Sequence, residues 1–198
     1  MRRSQVLENV IAEAKACRLC EEHLPLGPKP VFLVGSGARL LIVGQAPGRR
    51  VHQTGIPWND PSGDNLRGWL AMERGAFYDT SRIAIIPAAL CYPATGEGGD
   101  LPPRPECAPL WHPRFRAALP EIRLTLLVGQ YAQAHYLGKR RKKTLAQTVR
   151  AWKDYVPDFL PLPHPSPRNR LWLKKNAWFE REVIPALRQC VSKVLRDR

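Results

Sequence analysis

The sequence lacks several features that would assign it to a familiar class. No apolar run approaches the roughly 20 residues that a membrane-spanning helix needs. Neither GxxxxGK[ST] nor GxGxxG occurs, so the common phosphate-binding loops are excluded. Internal repeats and low-complexity tails are also missing, and the start, Met1-Arg2-Arg3, leads into a mixed polar segment unlike a signal peptide. These absences predict a cytoplasmic protein with no membrane association.

Acidic residues are scarce relative to basic ones. The 198-residue chain carries 17 Asp and Glu against 31 Lys and Arg, which gives a formal net charge of +14 and an isoelectric point near 10.1. Such an excess favours a polyanionic partner, nucleic acid before an anionic membrane surface. The length suits one domain with a real core, and two small domains are the alternative. We expect a single domain over residues 1–198, and we expect the protein to be a monomer.

Apolar runs and helical patterns alternate along the chain. Runs suited to buried strands lie at 40–43, 82–86 and 124–128, with a further candidate at 158–162. Helical patterns cover 4–16, 65–72, 109–119, 130–137 and 178–196, the last of them interrupted at Pro185. The stretch from Cys91 to Cys107 is too rich in Pro and Gly for regular structure. The alternation predicts one three-layer α/β/α domain.

The loop after the first strand is the expected place for chemistry. Ligands of open α/β sheets bind outside the carboxyl ends of the strands, and here the chain continues as Gly44-Gln45-Ala46-Pro47-Gly48. Trp58, Asp60 and Asp64 follow closely and add an aromatic plate and carboxylates. A plainer interpretation stays open, in which Asp60 only caps a helix and Trp58 belongs to the core.

Five cysteines in a reducing compartment indicate metal or reactive ligands before disulfides. Cys17 and Cys20 form a CxxC, and Cys91 and Cys107 follow with 15 residues between them. Four thiolates hold either zinc or a cubane iron–sulfur cluster. The chain lacks the second short knuckle of a zinc ribbon, and the wide second pair suits a larger cluster. Unrelated core thiols are the alternative, as we expect for Cys190.

Taken in order, the GQAPG loop, the four cysteines and His164-Pro165-Ser166-Pro167-Arg168-Asn169 resemble the uracil-DNA glycosylase superfamily. The closest match is its iron–sulfur branch, families four and five, over nearly the whole chain. The resemblance implies a four-stranded parallel sheet between helices. It also implies a monofunctional uracil-DNA glycosylase of base-excision repair, with other deaminated bases as further candidate substrates. A structural [4Fe-4S] cluster on Cys17, Cys20, Cys91 and Cys107 is implied as well, with zinc as the alternative.

The resemblance assigns roles to the residues of two loops that flank a flipped-out base. Asp60 aligns with the water-activating aspartate of family five, with Asp64 in reserve, and His164 stabilises the departing base. Trp58 stacks on that base. Gly44, Gln45 and Ala46 contact it, Gln45 as part of the catalytic set. Family five also carries an asparagine between its last two cysteines that has no clear counterpart in 92–106.

Contacts to DNA are expected from two segments. The resemblance implies that Ser166, Arg168 and Asn169 touch the DNA, with Arg168 in the position of a wedge. Five consecutive cations begin at Lys139, and Lys139, Arg140 and Arg141 are candidate phosphate contacts, although such a run also suits a solvated face. Two other functions compete: a module that binds abasic or damaged DNA without turnover, and a zinc-stabilised nucleotide-binding protein.

Overall fold

A computed structural model describes residues 3–196 of the chain. Met1 and Arg2, on which the interpretation of the N-terminal start depends, lie outside the described residues. The main sheet has four parallel strands in the order β2-β1-β5-β6, and a two-stranded antiparallel hairpin, β3-β4, stands apart from it. The strands are β1 Leu40–Val43, β2 Ile83–Ile85, β3 Thr95–Gly96, β4 Gly99–Asp100, β5 Leu124–Val128 and β6 Phe159–Leu162.

Helices cover both faces of this sheet. The α-helices are α1 Arg3–Lys15, α2 Arg49–Thr54, α3 Pro61–Leu70, α4 Arg74–Phe77, α5 Cys107–Ala118, α6 Gln130–Leu137, α7 Leu145–Arg150, α8 Arg170–Lys175 and α9 Ile184–Arg196. Short 3₁₀ turns lie at Glu21–His23, Gly138–Arg140, Trp152–Asp154 and Pro167–Asn169, and a π-helical turn at Phe179–Val183. No helix among the described residues is long and apolar enough to cross a membrane.

The core has two halves because side chains alternate across each strand. In β1, Leu41 and Val43 pack with α1 and α5, whereas Leu40 and Ile42 pack with α3 and α9. All four residues of β1 are fully buried, which explains why the strand is apolar without interruption. The predicted three-layer α/β/α fold with a four-stranded parallel sheet is therefore confirmed.

The parallel order brings four loops to one edge of the sheet. These loops follow the carboxyl ends of β1, β2, β5 and β6, and they begin near residues 44, 86, 129 and 163. The outer edge of β2 is covered by an antiparallel bridge between Leu33 and Ile85. The sheet thus exposes its carboxyl edge as the natural place for a ligand.

Two local expectations need correction. The stretch from Cys91 to Cys107 contains the hairpin β3-β4, because Thr95 pairs with Asp100 across a tight turn. Helix α3 begins at Pro61, earlier than predicted, because Asp60 caps it. The break in the closing helix falls just before Pro185, where a π-helical turn gives way to α9.

Candidate active site

A cavity of about 440 Å³ opens at the carboxyl edge of the sheet. It is bounded by the loop after β1, the segment before α3, the hairpin β3-β4 and the loop after β6. The predicted residues that line it are Gly44, Gln45, Ala46, Trp58, Asp60, His164, Ser166 and Arg168. Two loops more than 100 residues apart in sequence therefore contribute to one concave site.

Two glycines make room for Trp58. A Cβ on Gly44 would lie 2.7 Å from Cζ2 of the indole, and one on Gly63 would lie 1.8 Å from the Trp58 carbonyl oxygen. Trp58 itself has a φ of 57°, which a side-chain-bearing residue adopts only when its surroundings hold it there. Arg67 supplies one such restraint by donating from Nη1 to the Trp58 carbonyl at 3.2 Å. The indole is therefore fixed in the wall of the cavity.

Asp60 combines a structural contact with a place in the cavity. Its Oδ1 accepts a hydrogen bond from the Gly63 N–H at 2.8 Å and so caps α3. The side chain is half-buried and lines the cavity. The capping role and the predicted chemical role are compatible, because an ionised carboxylate has about four lone-pair sites.

His164 faces Trp58 across the same space, with the ring centroids 5.8 Å apart and the planes inclined by 36°. Burial lowers the pKa of His164 below its usual value, and the carboxylates of Asp60 and Asp100 offset part of that effect. The imidazole is therefore neutral at pH 7.5 and carries one N–H donor. A neutral donor beside a carboxylate is suited to a reaction in which an anion leaves a positively charged centre.

The loop after β6 is ordered by amide side chains. Asn169 donates from Nδ2 to the His164 carbonyl at 2.7 Å, and Asn65 donates to the Pro165 carbonyl at 2.8 Å. The Ser166 hydroxyl accepts from the Arg168 N–H at 3.2 Å. Asn169, for which we expected a DNA contact, thus orders the loop that carries His164.

The loop after β1 is held against the segment that follows β2. The Ala88 N–H donates to the Gly44 carbonyl at 2.9 Å, and the Ala89 N–H donates to the Gln45 carbonyl at 3.0 Å. Pro87 lines the cavity between these contacts. Its carbonyl accepts from Nε2 of His112 at 3.0 Å, and Nδ1 of His112 lies 2.8 Å from the Tyr136 hydroxyl. Burial lowers the pKa of His112 to about 4, so the ring is neutral and Tyr136 donates to it.

We expect His112→Phe to lower the free energy of unfolding by about 1–3 kcal/mol, because it leaves the buried Pro87 carbonyl and Tyr136 hydroxyl without partners. Urea denaturation of the two proteins measures the change. His135→Phe is the matched control, since His135 is exposed and meets His112 through a ring contact that phenylalanine can keep. An equal loss in both variants would contradict the role given to His112.

The hairpin β3-β4 brings an unpredicted carboxylate into the site. Asp100 lines the cavity, and its Oδ1 accepts from the Thr95 hydroxyl at 3.1 Å. Arg168 reaches over the hairpin and donates to the Gly98 carbonyl at 3.3 Å. No motif marks Asp100 in the sequence, and the Gly-rich stretch around it indicated only a loop.

Other predicted residues lie elsewhere. Asp64 is exposed, pairs with Arg67 at 2.5 Å and lines a separate hollow. The prediction that Asp64 could activate water in place of Asp60 is therefore wrong, because its side chain lies outside the cavity. Lys139 and Arg141 line a further cavity beside the start of α6. The Arg140 guanidinium lies over the Tyr155 ring, 5.6 Å from its centroid. The three cations therefore belong to a surface outside the main cavity.

The four cysteines that the sequence singled out meet around one small apolar cavity. Cys17, Cys20, Cys91 and Cys107 line it, and the Leu90 N–H donates to Sγ of Cys107 at 3.3 Å. Among residues 3–196, no three His, Cys, Asp or Glu side chains are grouped to hold a single metal ion.

The surroundings of the thiols suit an acceptor group. Arg104 and Trp111 also line this cavity, and their Nε and Nε1 donors are buried without a partner in the described part of the chain. Burial raises the pKa of Cys91 to about 11 and that of Cys107 to about 12. Buried thiolates need a compensating cation, which the iron of a cluster would supply. The sulfurs of a cluster would also accept hydrogen bonds from the unpaired Arg104 and Trp111 donors. The residues present therefore fit an iron–sulfur cluster.

Comparison with known proteins bears on the whole chain. A solution NMR structure of a provisionally named uracil DNA glycosylase from Methanosarcina acetivorans aligns with 81% of this chain and 98% of its own, at 14% sequence identity and a TM-score of 0.49. That likeness is too distant to carry an argument. The family profile described as the uracil DNA glycosylase superfamily matches residues 30–188. These residues include both loops of the cavity, and the chain belongs to the uracil DNA glycosylase superfamily.

Proposed function

We propose that this protein is a monofunctional DNA glycosylase that hydrolyses the N-glycosidic bond of uracil, and of related deaminated bases, in DNA. Family membership supports a glycosylase, and the single observation that carries the assignment is the shared cavity of Asp60, Trp58 and His164. A target base inside a duplex is out of reach, so the nucleotide must be extruded. Extrusion costs a few kcal/mol and is easiest at mismatched pairs.

The extruded base enters the cavity that Trp58 and the loop after β1 line, and it stacks on the side of the indole that is turned away from Gly44. Stacking on an aromatic side chain contributes about 1–3 kcal/mol per base. Gln45 and Ala46 line the cavity, and the segment that follows β2 holds this loop in place. Their backbone N–H groups are the proposed donors to a carbonyl of the base. Because Trp58 is already fixed, little further ordering is needed when the base arrives.

Bond cleavage leaves negative charge on the base and positive charge on the sugar. His164 donates its N–H to a carbonyl of the base and so stabilises the leaving anion. Asp60 orients the attacking water and offsets the charge of the oxocarbenium-like sugar, a division of labour also found in glycoside hydrolysis. One lone pair of Asp60 remains committed to capping α3, which holds the carboxylate in position.

DNA is held mainly through its phosphates. The net charge of +14 supplies a sequence-independent attraction. Ser166 and Arg168 at the rim of the cavity, together with Lys139, Arg140 and Arg141, are the proposed contacts. Lys142 pairs with Asp154 at 2.7 Å and is less available than its neighbours. A cytoplasmic location and a monomeric state complete the proposal.

A [4Fe-4S] cluster on Cys17, Cys20, Cys91 and Cys107 would tie the N-terminal helix to the segment before α5, beside the hairpin. We expect protein purified without oxygen to be brown and to contain about four iron atoms per chain. Cys107→Ser should lose the colour and lower the melting temperature, because the ligand set is incomplete. Cys190→Ser, remote from the four thiols in sequence, should retain both. A colourless protein that contains zinc would contradict the cluster.

The activity itself is tested with a duplex that contains one uracil. Incubation with the protein followed by alkali should break the strand at that position, because an abasic site is alkali-labile. Tight binding of abasic DNA without strand breakage would favour the alternative, a damage-binding module of the same fold. If the protein neither binds abasic DNA nor breaks the strand at uracil, both the glycosylase and the damage-binding module are contradicted.

A further inference from the structure

The carboxylate of Asp100 lies in the cavity and has no part in the bond cleavage proposed above. Its Oδ1 accepts from the Thr95 hydroxyl, and its Oδ2 lies 3.1 Å from the point that a Cβ on Gly48 would occupy. Within the described residues no Lys or Arg side chain is paired with it. Since a carboxylate has about four lone-pair sites, most of its acceptor capacity remains available to a ligand.

The hairpin that carries Asp100 is tied to both loops of the site. Arg168, in the loop after β6, donates to the Gly98 carbonyl at 3.3 Å. Gln45, in the loop after β1, donates from Nε2 to the Leu101 carbonyl at 3.4 Å. The hydroxyls of Tyr92 and Thr95 lie 2.5 Å apart, and this hydrogen bond connects the start of the hairpin to the segment before it. Asp100 is exposed, but these contacts hold its hairpin against the cavity that Trp58 also lines.

A ligand atom beside this carboxylate has to be a hydrogen-bond donor. Deamination supplies such a donor, because it changes a ring nitrogen that accepts, as in cytosine and adenine, into an N–H. A carboxylate attracts that N–H and repels the lone pair of the unchanged base.

We propose that Asp100 is a specificity-determining residue that accepts a hydrogen bond from the lactam N–H of the flipped-out base. The proposal rests on the proposed function and narrows its substrates to bases that present such an N–H. The negative charge of Asp100 opposes the charge that develops on the leaving base. Asp100 thus serves recognition and not bond breaking, and a neutral acceptor in its place should not slow the reaction.

A double-mutant cycle between protein and base tests this contact. Single-turnover excision is measured for duplexes with uracil or N3-methyluracil, with wild-type protein and with Asp100→Ala. We expect Asp100→Ala to lose about tenfold to a hundredfold on uracil, the range for one hydrogen bond to a charged group. N3-methylation of the uracil slows excision by some factor, and that factor should be at least about tenfold smaller in Asp100→Ala than in the wild type. The reason is that the variant no longer contacts N3 of the base. Asp100→Asn, which keeps an acceptor, should excise uracil no more slowly than the wild type.

Glu97→Ala is the matched control, because Glu97 is an exposed acid in the turn of the same hairpin. It should leave all rates unchanged. If N3-methylation slows excision by the same factor in the wild type and in Asp100→Ala, the proposal is overturned. Should Asp100→Ala fail to fold, inhibition of the wild type by free uracil and by free 3-methyluracil decides instead, and equal inhibition overturns it. Failure of the wild type to excise uracil would instead contradict the proposed function.

Discussion

Asp60→Asn is expected to slow the excision of uracil from DNA at least about a hundredfold while DNA binding survives, since a positioned acid or base contributes about 10²–10⁴-fold. The substitution removes the charge that orients water and offsets the positive sugar. It keeps the helix cap, because Asn caps helices as well as Asp does and the Gly63 N–H retains an acceptor. The loss therefore reports chemistry and not unfolding.

Single-turnover rates on a uracil duplex, with a parallel binding measurement, give the comparison. Asp64→Asn is the control, since Asp64 follows closely in the same helix but is exposed and lies outside the cavity. We expect its excision rate to stay within a few fold of the wild type. A slow Asp64→Asn beside a normal Asp60→Asn would reverse the two assignments.

His164→Phe is expected to slow excision about 10²–10³-fold, the usual cost of removing a preorganised donor to a developing anion. Phenylalanine keeps a ring against Trp58 but has no N–H. His164→Gln, which restores a donor, should recover part of the rate. Similar rates for His164→Phe and the wild type would show that another group stabilises the leaving base.

The pKa of His164 adds a check on the same residue. Because burial holds this pKa below its usual 6.5, the ring stays neutral throughout the range above pH 7. We therefore expect no inflection from His164 in the single-turnover rate between about pH 7 and 9. An inflection in this range that disappears in His164→Gln would mean that the protonated ring is the active form.

Strands were predictable from the sequence because burial on both faces leaves a clear signal. Leu40–Val43 and Leu124–Val128 are continuous apolar runs, and both lie in the centre of the sheet. Helix α7 was missed although Thr144 and Gln147 form a capping box that the sequence displays. The hairpin β3-β4 left no such signal, because long-range contacts from Arg168 and Gln45 hold its Gly-rich chain.

The candidate site was predictable where a motif exists. Residue order and resemblance brought together Asp60, Trp58 and His164, and the cavity contains all three. Asp100 was missed because its place depends on how the hairpin folds against two distant loops. Asp64 was misplaced, since proximity in sequence does not tell which way a side chain points, and it pairs with Arg67 outside the cavity. The hydrogen bond from Asn169 to the His164 carbonyl was not predicted, and the DNA contact of Asn169 stays a prediction.

The most direct test is the crystal structure of Asp60→Asn bound to a duplex with a single uracil. The account predicts an extruded uracil in the cavity, its ring stacked on Trp58 and a carbonyl within hydrogen-bonding distance of the His164 ring. A uracil still stacked in the duplex, or bound on a surface away from Trp58 and His164, would contradict it.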